Sequence, residues 1–178
     1  MAGLLLYVLY KSFVELLAAV GMDYTIRQIK NSEYPLLNDF LYEAIFIPEG
    51  VEPPPRAIIN SPELQVYVRD FGAQPHDRAL VAEAEGKIIG AVWVRVMNDY
   101  GHVDDETPSF AISLYKEYRG RGIGTALMRE MLKILKENGY KRASLAVQKA
   151  NYALKMYLKV GFEIIGENDE EYIMAIQL

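Results

Sequence analysis

Arg119-Gly120-Arg121-Gly122-Ile123-Gly124-Thr125 stands between an apolar run, Phe110–Tyr115, and an amphipathic one, Gly122–Asn138. The first run has strand character. In the second, Ile123, Ala126, Leu127, Met131, Ile134 and Leu135 form one helical stripe, and Gly139 ends it. The heptapeptide is therefore a strand-to-helix turn. A helix start leaves its first backbone N–H groups without acceptors, and the positive end of the helix dipole points the same way. Glycines let that backbone approach an oxygen with no Cβ between. Arg119 and Arg121 add positive charge, so a pyrophosphate suits the loop. The competing reading is a glycine turn required by geometry alone. The Gly-x-Gly-x-x-Gly spacing of a dinucleotide site is absent, and no Gly-Lys-Ser/Thr of a phosphate-binding P-loop follows.

Working outward, the chain predicts an α/β (α+β) domain. Tyr24–Ile29 alternates as a short strand. A helix opens at Asn31 or Ser32, carries Pro35 in its first turn and runs through Ile45. Pro48–Pro55 is loop, and Ser61-Pro62-Glu63 starts a second helix reaching Phe71, stopped by Gly72. Ala79–Glu85 and Lys87–Met97 form a hairpin, and Gly90 marks a bulge or close contact within it. After the loop-flanking strand and helix come a strand at Ala143–Val147, a helix at Asn151–Val160, and strands at Phe162–Ile165 and Glu171–Ile176. Early antiparallel pairing with a late strand–helix–strand crossover implies a mixed sheet with helices on both faces.

Composition narrows the function classes. The 178 residues are 51% apolar and 24% charged, which suits one globular domain. A net charge of −5 argues against a nucleic-acid partner for the molecule as a whole. The chain has no cysteine, which excludes disulfides, thiolate metal sites and a Cys nucleophile. His76 and His102 are the two histidines and lie far apart, so no metal site is expected. Residues 2–20 are apolar apart from Lys11, Ser12 and Glu15. The missing basic n-region, the mid-segment charges and the absence of a flanking Lys/Arg cluster argue against a signal peptide or a clean membrane span. We read 1–21 as an apolar helical segment packed on this or another subunit, with a membrane-associated anchor or a piece outside the natural domain as alternatives. Residues 22–178 form the catalytic domain in this reading.

With a second motif the chain resembles the GNAT N-acetyltransferase superfamily. Arg119, Gly122 and Gly124 match its Gln/Arg-x-x-Gly-x-Gly/Ala signature. Asn151, Tyr157 and Gly161-Phe162 match the Asn, the helical Tyr and the Gly-Phe that follow in the family. The resemblance covers residues 79–178 well and 22–78 by element order. It implies a mostly antiparallel sheet of about seven strands, splayed between the fourth and fifth, and acetyl-CoA as co-substrate. The pyrophosphate would sit on backbone N–H groups of Arg119, Gly120, Arg121, Gly122, Ile123, Gly124 and Thr125. The pantetheine arm would pair with backbone at Ile112 and Leu114, as an added strand. Asn151 would bond the cofactor arm. Tyr157 would face the thioester sulfur, with packing as its alternative role. The implied reaction is direct attack by a neutral primary amine of a small molecule or peptide. A backbone N–H near Leu114 would stabilise the oxyanion, worth ~3 kcal/mol if aligned.

The chain departs from the family where many members carry a Glu near the start of the strand before the loop; here it reads Pro108-Ser109-Phe110. Glu83, Glu106 and a water chain to Asp104 or Asp105 are the candidate bases. Tyr42, Glu43, Phe46, Trp93, Asp99 and Tyr100 are candidate acceptor-pocket residues, because aromatic and acidic groups suit an amine. Phe46 and Trp93 have core packing as the alternative. A non-catalytic acyl-CoA-binding module is the competing function. The resemblance also suggests a homodimer, and acetyl-CoA implies a cytoplasmic setting.

Overall fold

The computed structural model describes residues 22–178. The segment 1–21, and with it the expected N-terminal helix, lies outside the described residues. The strands are β1 (Thr25–Gln28), β2 (Arg78–Ala84), β3 (Lys87–Arg95), β4 (Ser109–Leu114), β5 (Arg142–Gln148), β6 (Glu163–Glu167) and β7 (Glu171–Gln177). The α-helices are α1 (Leu37–Ala44), α2 (Pro62–Gln65), α3 (Ile123–Glu137) and α4 (Leu154–Val160). Short 3-10 turns occupy Asn31–Leu36, Arg56–Asn60 and Lys116–Tyr118.

The seven strands form one sheet in the order β1-β2-β3-β4-β5-β7-β6. Every neighbouring pair is antiparallel except β4 and β5. Those two are parallel and share the single register pair Ser109↔Ser144, beyond which they part. The mixed, mostly antiparallel sheet with its splay after the fourth strand is the architecture the sequence predicts.

Period-two alternation builds two cores. Leu80, Ala82, Val92, Val94 and Phe110 face α3, whose Ile123, Leu127, Met131 and Leu135 are fully buried. Ala79, Val81, Ala91 and Trp93 face the other way, against Leu37, Phe40 and Leu41 of α1. The hairpin turns at Glu85-Gly86, both with positive φ. Gly90 sits where the β2–β3 register slips. A Cβ there would come within 2.7 Å of the Leu114 side chain, so glycine allows β3 and β4 to close up.

Three element boundaries differ from expectation. The first helix begins as a 3-10 turn, and neither Asn31 nor Ser32 caps it. The N-cap position is Lys30, whose backbone N–H donates to the Glu33 carboxylate at 2.8 Å. The second helix stops at Gln65 instead of Phe71. The buried Arg95 guanidinium donates to the carbonyls of Val66 and Arg69, both at 2.9 Å, and pairs with buried Asp77. Carbonyls captured from the side cannot continue a helix, and the segment folds into successive turns instead. The last helix starts at Leu154, because the Asn151 side chain accepts the Ala153 N–H at 2.9 Å and holds a turn ahead of it.

Candidate active site

Two clefts open where β4 and β5 diverge, and they meet. The first, of about 390 Å³, runs from Gly120, Gly122, Gly124 and Thr125 past Ile112 and Leu114 to Asn151 and Tyr157. The second, of about 320 Å³, continues from Ile112, Asn151 and Tyr157 to Tyr67, Tyr100, Glu170 and Glu171. Ile45 and Phe46, just past α1, wall both.

The floor is a strand edge that, past Ser109, pairs with no other strand among the described residues. Pro108 O accepts the Ser144 N–H at 3.0 Å, whereas the Tyr115 N–H turns the other way, to Ile89 O at 3.1 Å. Strand alternation therefore aims the N–H groups of Ile112 and Leu114, and the carbonyl of Ile112, into the gap that β5 has left. At the loop, the first helical bond runs from Ala126 N–H to Gly122 O at 3.1 Å. The N–H groups of Ile123, Gly124 and Thr125 thus precede any intrahelical acceptor. Gly120 and Gly122 have φ of +75° and +82°, and a Cβ at either would meet nothing within 4 Å. The cradle is open space over unpaired N–H groups, which is the form a phosphate fits. The residues present therefore fit acetyl-CoA.

The side chains divide differently from expectation. Arg119 does not point its charge at the cradle. Its Nε donates to Leu114 O at 2.8 Å, and a terminal nitrogen reaches the Glu43 carboxylate at 2.8 Å and the Glu43 carbonyl at 3.1 Å. This also removes Glu43 from the acceptor pocket: it is the counter-ion that ties the loop to the end of α1. Arg121 is exposed, and its charge lies outside the lining of either cleft. The Ile123 side chain is buried in the core, so it can offer the cradle its N–H alone. Tyr157 is buried at the junction, edge-on to Phe162 with ring centroids 6.2 Å apart. Burial pushes its hydroxyl well above the ordinary tyrosine range, so it stays a proton donor.

Several candidates lie elsewhere. Glu83 is held by Arg27 on the far side of the sheet, at 2.6 Å, and lines neither cleft. Glu106 sits in the β3–β4 loop, where its own N–H caps Asp104 and no cleft reaches it. Asp104 in turn pairs with Arg142. Tyr42 turns to the proline loop, where its hydroxyl donates to Pro54 O at 2.7 Å. Trp93 is fully buried, and its Nε1 donates to Tyr67 O at 3.1 Å, so it is core. Phe46 and Tyr100 do line the second cleft. Asp99 is set just behind it, with Oδ2 accepting the Ser109 hydroxyl at 2.7 Å.

Lys155 and Met156 of α4, with Tyr118 and Tyr152, complete the first cleft and were not expected there. The i, i+3, i+4 spacing of Tyr152, Lys155 and Met156 could have flagged them, although Tyr152 stands in the turn before α4. Tyr67, Glu170 and Glu171 in the second cleft carry no local signal, since the fold assembles them from distant segments. Among the described residues no group of His, Asp and Glu is placed to hold a metal ion, and no helix is long and apolar enough to cross a membrane.

Comparison with known proteins agrees with this geometry. A solved PaiA N-acetyltransferase from Thermoplasma acidophilum, in complex with coenzyme A, superposes with a TM-score of 0.66 at 21% identity, covering 88% of this chain and 100% of that one. The ribosomal-protein-S18-alanine N-acetyltransferase of Escherichia coli gives 0.60 at 17% identity, over 87% and 94% of the two chains. In sequence, the chain is 30% identical over 89 residues to N-acetyltransferase 8B of Homo sapiens, which is 49% of this chain and 39% of that protein. The match thus spans about two fifths of that relative. Acetyltransferase SG1711 of Sodalis glossinidius is 33% identical over 107 residues, 59% of this chain and 69% of its own. Residues 39–162 match the acetyltransferase (GNAT) family as a whole, a span that holds most of α1, the splayed strand, the glycine loop and Tyr157. By that match and by its fold, the chain belongs to the acetyltransferase (GNAT) family.

Proposed function

We propose that residues 22–178 form an acetyl-CoA-dependent N-acetyltransferase that acetylates a primary amine of a small molecule or peptide. The observation that carries this reading is the meeting of the two clefts at Ile112, Asn151 and Tyr157. One cleft has an anion cradle and a free strand edge. The other has aromatic and acidic walls with no Lys or Arg among its described lining residues. An amine entering the second cleft therefore meets a thioester laid along the first.

In this reading the backbone N–H groups of residues 120–125 hold the pyrophosphate, and Ile112 and Leu114 pair with the pantetheine arm; the Arg119 N–H, expected among the donors, is already given to Lys116 O at 3.2 Å. Arg119 takes no part in the phosphate contact through its side chain; it fixes the loop. A backbone N–H near Leu114 is aimed at the developing oxyanion, and Asn151 reaches the cofactor arm. Tyr157, neutral and buried, donates to the departing sulfur. Acetyl-CoA is intracellular, which fits a cytoplasmic enzyme, and a homodimer follows the habit of the family.

The test is a thermal shift with acetyl-CoA beside NAD, followed by a free-thiol assay over a set of primary amines. A ligand at about a hundred times its Kd stabilises by ~2.7 kcal/mol. A shift with acetyl-CoA alone, with CoA release on adding an amine, is expected. A shift without release with any amine would favour a non-catalytic acyl-CoA-binding module, the reading that Ser109 in place of a carboxylate supports. No shift with any CoA species removes both.

A further inference from the structure

Ser109 leaves the start of β4 without a carboxylate of its own, yet the fold brings one there. Asp99, from the β3–β4 loop, lays its Oδ2 on the Ser109 hydroxyl at 2.7 Å. Gly101 beside it is packed so tightly that a Cβ would fall 2.8 Å from the Ser109 hydroxyl and from the backbone of β5. The Ser144 hydroxyl fastens the same turn by donating to Gly101 O at 2.7 Å. The loop is thus clamped against both diverging strands, and Asp99 is held at the head of the splay. Its other oxygen, Oδ1, is enclosed and accepts no hydrogen bond among the described residues. A buried carboxylate oxygen without a donor is costly to the fold, and such costs are kept where they serve a site.

Tyr67 lines the second cleft, and its hydroxyl stands next to this carboxylate. Tyr67 is itself positioned by the fully buried Trp93, which donates to its carbonyl at 3.1 Å. A route therefore runs from the cleft through Tyr67 to the Asp99 carboxylate.

We propose that Tyr67 and Asp99 form the proton-accepting pair of the acetyl transfer, and that the acceptor enters as a primary alkylammonium. The inference rests on the transferase reading above. The ammonium gives a proton to the Tyr67 oxygen as Tyr67 passes its own to the Asp99 carboxylate. The freed nitrogen lone pair forms the N–C bond to the thioester carbonyl, and the C–S bond breaks with its electrons on sulfur. The second proton lost by the nitrogen reaches the sulfur by way of Tyr157, and Asp99 releases the first to solvent.

The groups facing Asp99 agree with this role. Tyr67 and the Gly101 backbone flank it, Ser109 is bonded to it, and Glu171 at the head of β7 and Tyr100 stand nearby. Burial, the largest influence, raises Asp99 above the ordinary carboxylate range, and the Ser109 bond opposes this in part. Glu171 is likewise raised, by burial first and by Glu170 and Asp99 as neighbours. With no Lys or Arg among the described lining residues, a bound ammonium is the missing counter-charge.

The experiment follows kcat/KM for CoA release between pH 5 and 9. Benzylamine, tyramine, 1,4-diaminobutane and an alanine-initiated tripeptide serve as acceptors, with wild type, Asp99→Asn, Tyr67→Phe and Ser109→Ala compared on the best of them. We expect Asp99→Asn to lose roughly a hundredfold or more at neutral pH, in keeping with general-base catalysis, while its acetyl-CoA thermal shift is retained. Tyr67→Phe should lose less. Ser109→Ala removes a donor to the ionised carboxylate, so the low-pH limb of its profile should move to higher pH. A merely structural Ser109 would leave that limb in place. Wild-type activity with an unchanged profile in Asp99→Asn, or in Ser109→Ala should the first variant not fold, overturns the pair and leaves the transferase reading standing. A wild type that binds acetyl-CoA but releases CoA with no amine overturns both.

Discussion

Replacing Arg119 by Met separates two roles that a charged residue in a phosphate loop can have. In the structure its guanidinium makes three hydrogen bonds, to Leu114 O at 2.8 Å, to the Glu43 carboxylate at 2.8 Å and to Glu43 O at 3.1 Å. The two side chains are 29% and 22% exposed, so the pair lies between a surface ion pair and a buried one. A bond to a charged group contributes about 1.5–3 kcal/mol when well shielded. Partial exposure and side-chain entropy reduce this, and about 2–3 kcal/mol for the whole constellation is a reasonable sum. For a chain of this size that is a fall in Tm of roughly 5–10 °C, at about 2–4 °C per kcal/mol. Arg121→Ala, at an exposed position, should change stability by less than about 0.5 kcal/mol. It should weaken CoA binding mainly at low ionic strength. The assay is thermal melting without ligand, then titration with CoA, for Arg119→Met, Glu43→Gln and their double variant. The cycle should show coupling of about 1–2 kcal/mol between the two residues. If Arg119→Met melts with the wild type and loses CoA affinity only, the guanidinium serves the phosphate and the tether is wrong.

Tyr157→Phe should lower turnover at least about tenfold while leaving the CoA thermal shift in place, since it deletes a donor and keeps the ring; equal turnover would reduce Tyr157 to packing. Gly122→Ala should cost about 1 kcal/mol through its φ of +82° alone, because the added Cβ meets nothing. Gly122→Glu should abolish the acetyl-CoA shift by placing a carboxylate in the cradle, and a retained shift would put the pyrophosphate elsewhere. Glu83→Gln should leave turnover unchanged and reduce stability by no more than about 1 kcal/mol; a large loss of kcat would return Glu83 to the list of bases. Arg27 lowers the Glu33 carboxyl from 4.5 to about 2. Its contribution is therefore complete above pH 4.5 and lost as pH falls toward about 2. Glu33→Gln should accordingly flatten the acid side of the Tm–pH curve and leave the alkaline side alone.

The elements legible in the sequence were those set by short-range patterns. Alternation in Ala79–Met97 and the stripe of α3 placed the sheet and its main helix, because burial has the period of the backbone itself. The glycine loop was legible for the same reason, since its turn and helix start are local. What the residues do with their side chains was less so. Arg119 read as a phosphate ligand because nothing local shows that Glu43, 76 positions away, takes its charge. Arg95 likewise ends α2 from 29 residues off, by binding Val66 O. Glu83 and Glu106 were considered as bases for being carboxylates near the right strands, and Arg27 and the loop geometry decide otherwise. Asp99 was read as a pocket residue, but its bond to Ser109 exists only once the β3–β4 loop folds back. Tyr67, Glu170 and Glu171 come together through topology alone.

The lone Ser109↔Ser144 pair has a mechanical side. With one rung between them, β1–β4 and β5–β7 are two cards joined at a corner, kept from swinging by the core that α3 shares with both. Whatever lies in the seam and bonds both edges acts as glue between halves whose facing strands share one register pair. Amide hydrogens of β5 and β7 should therefore exchange more slowly when the seam is filled, although most of them touch no ligand. In such a molecule rigidity is lent by the guest, and leaves with it.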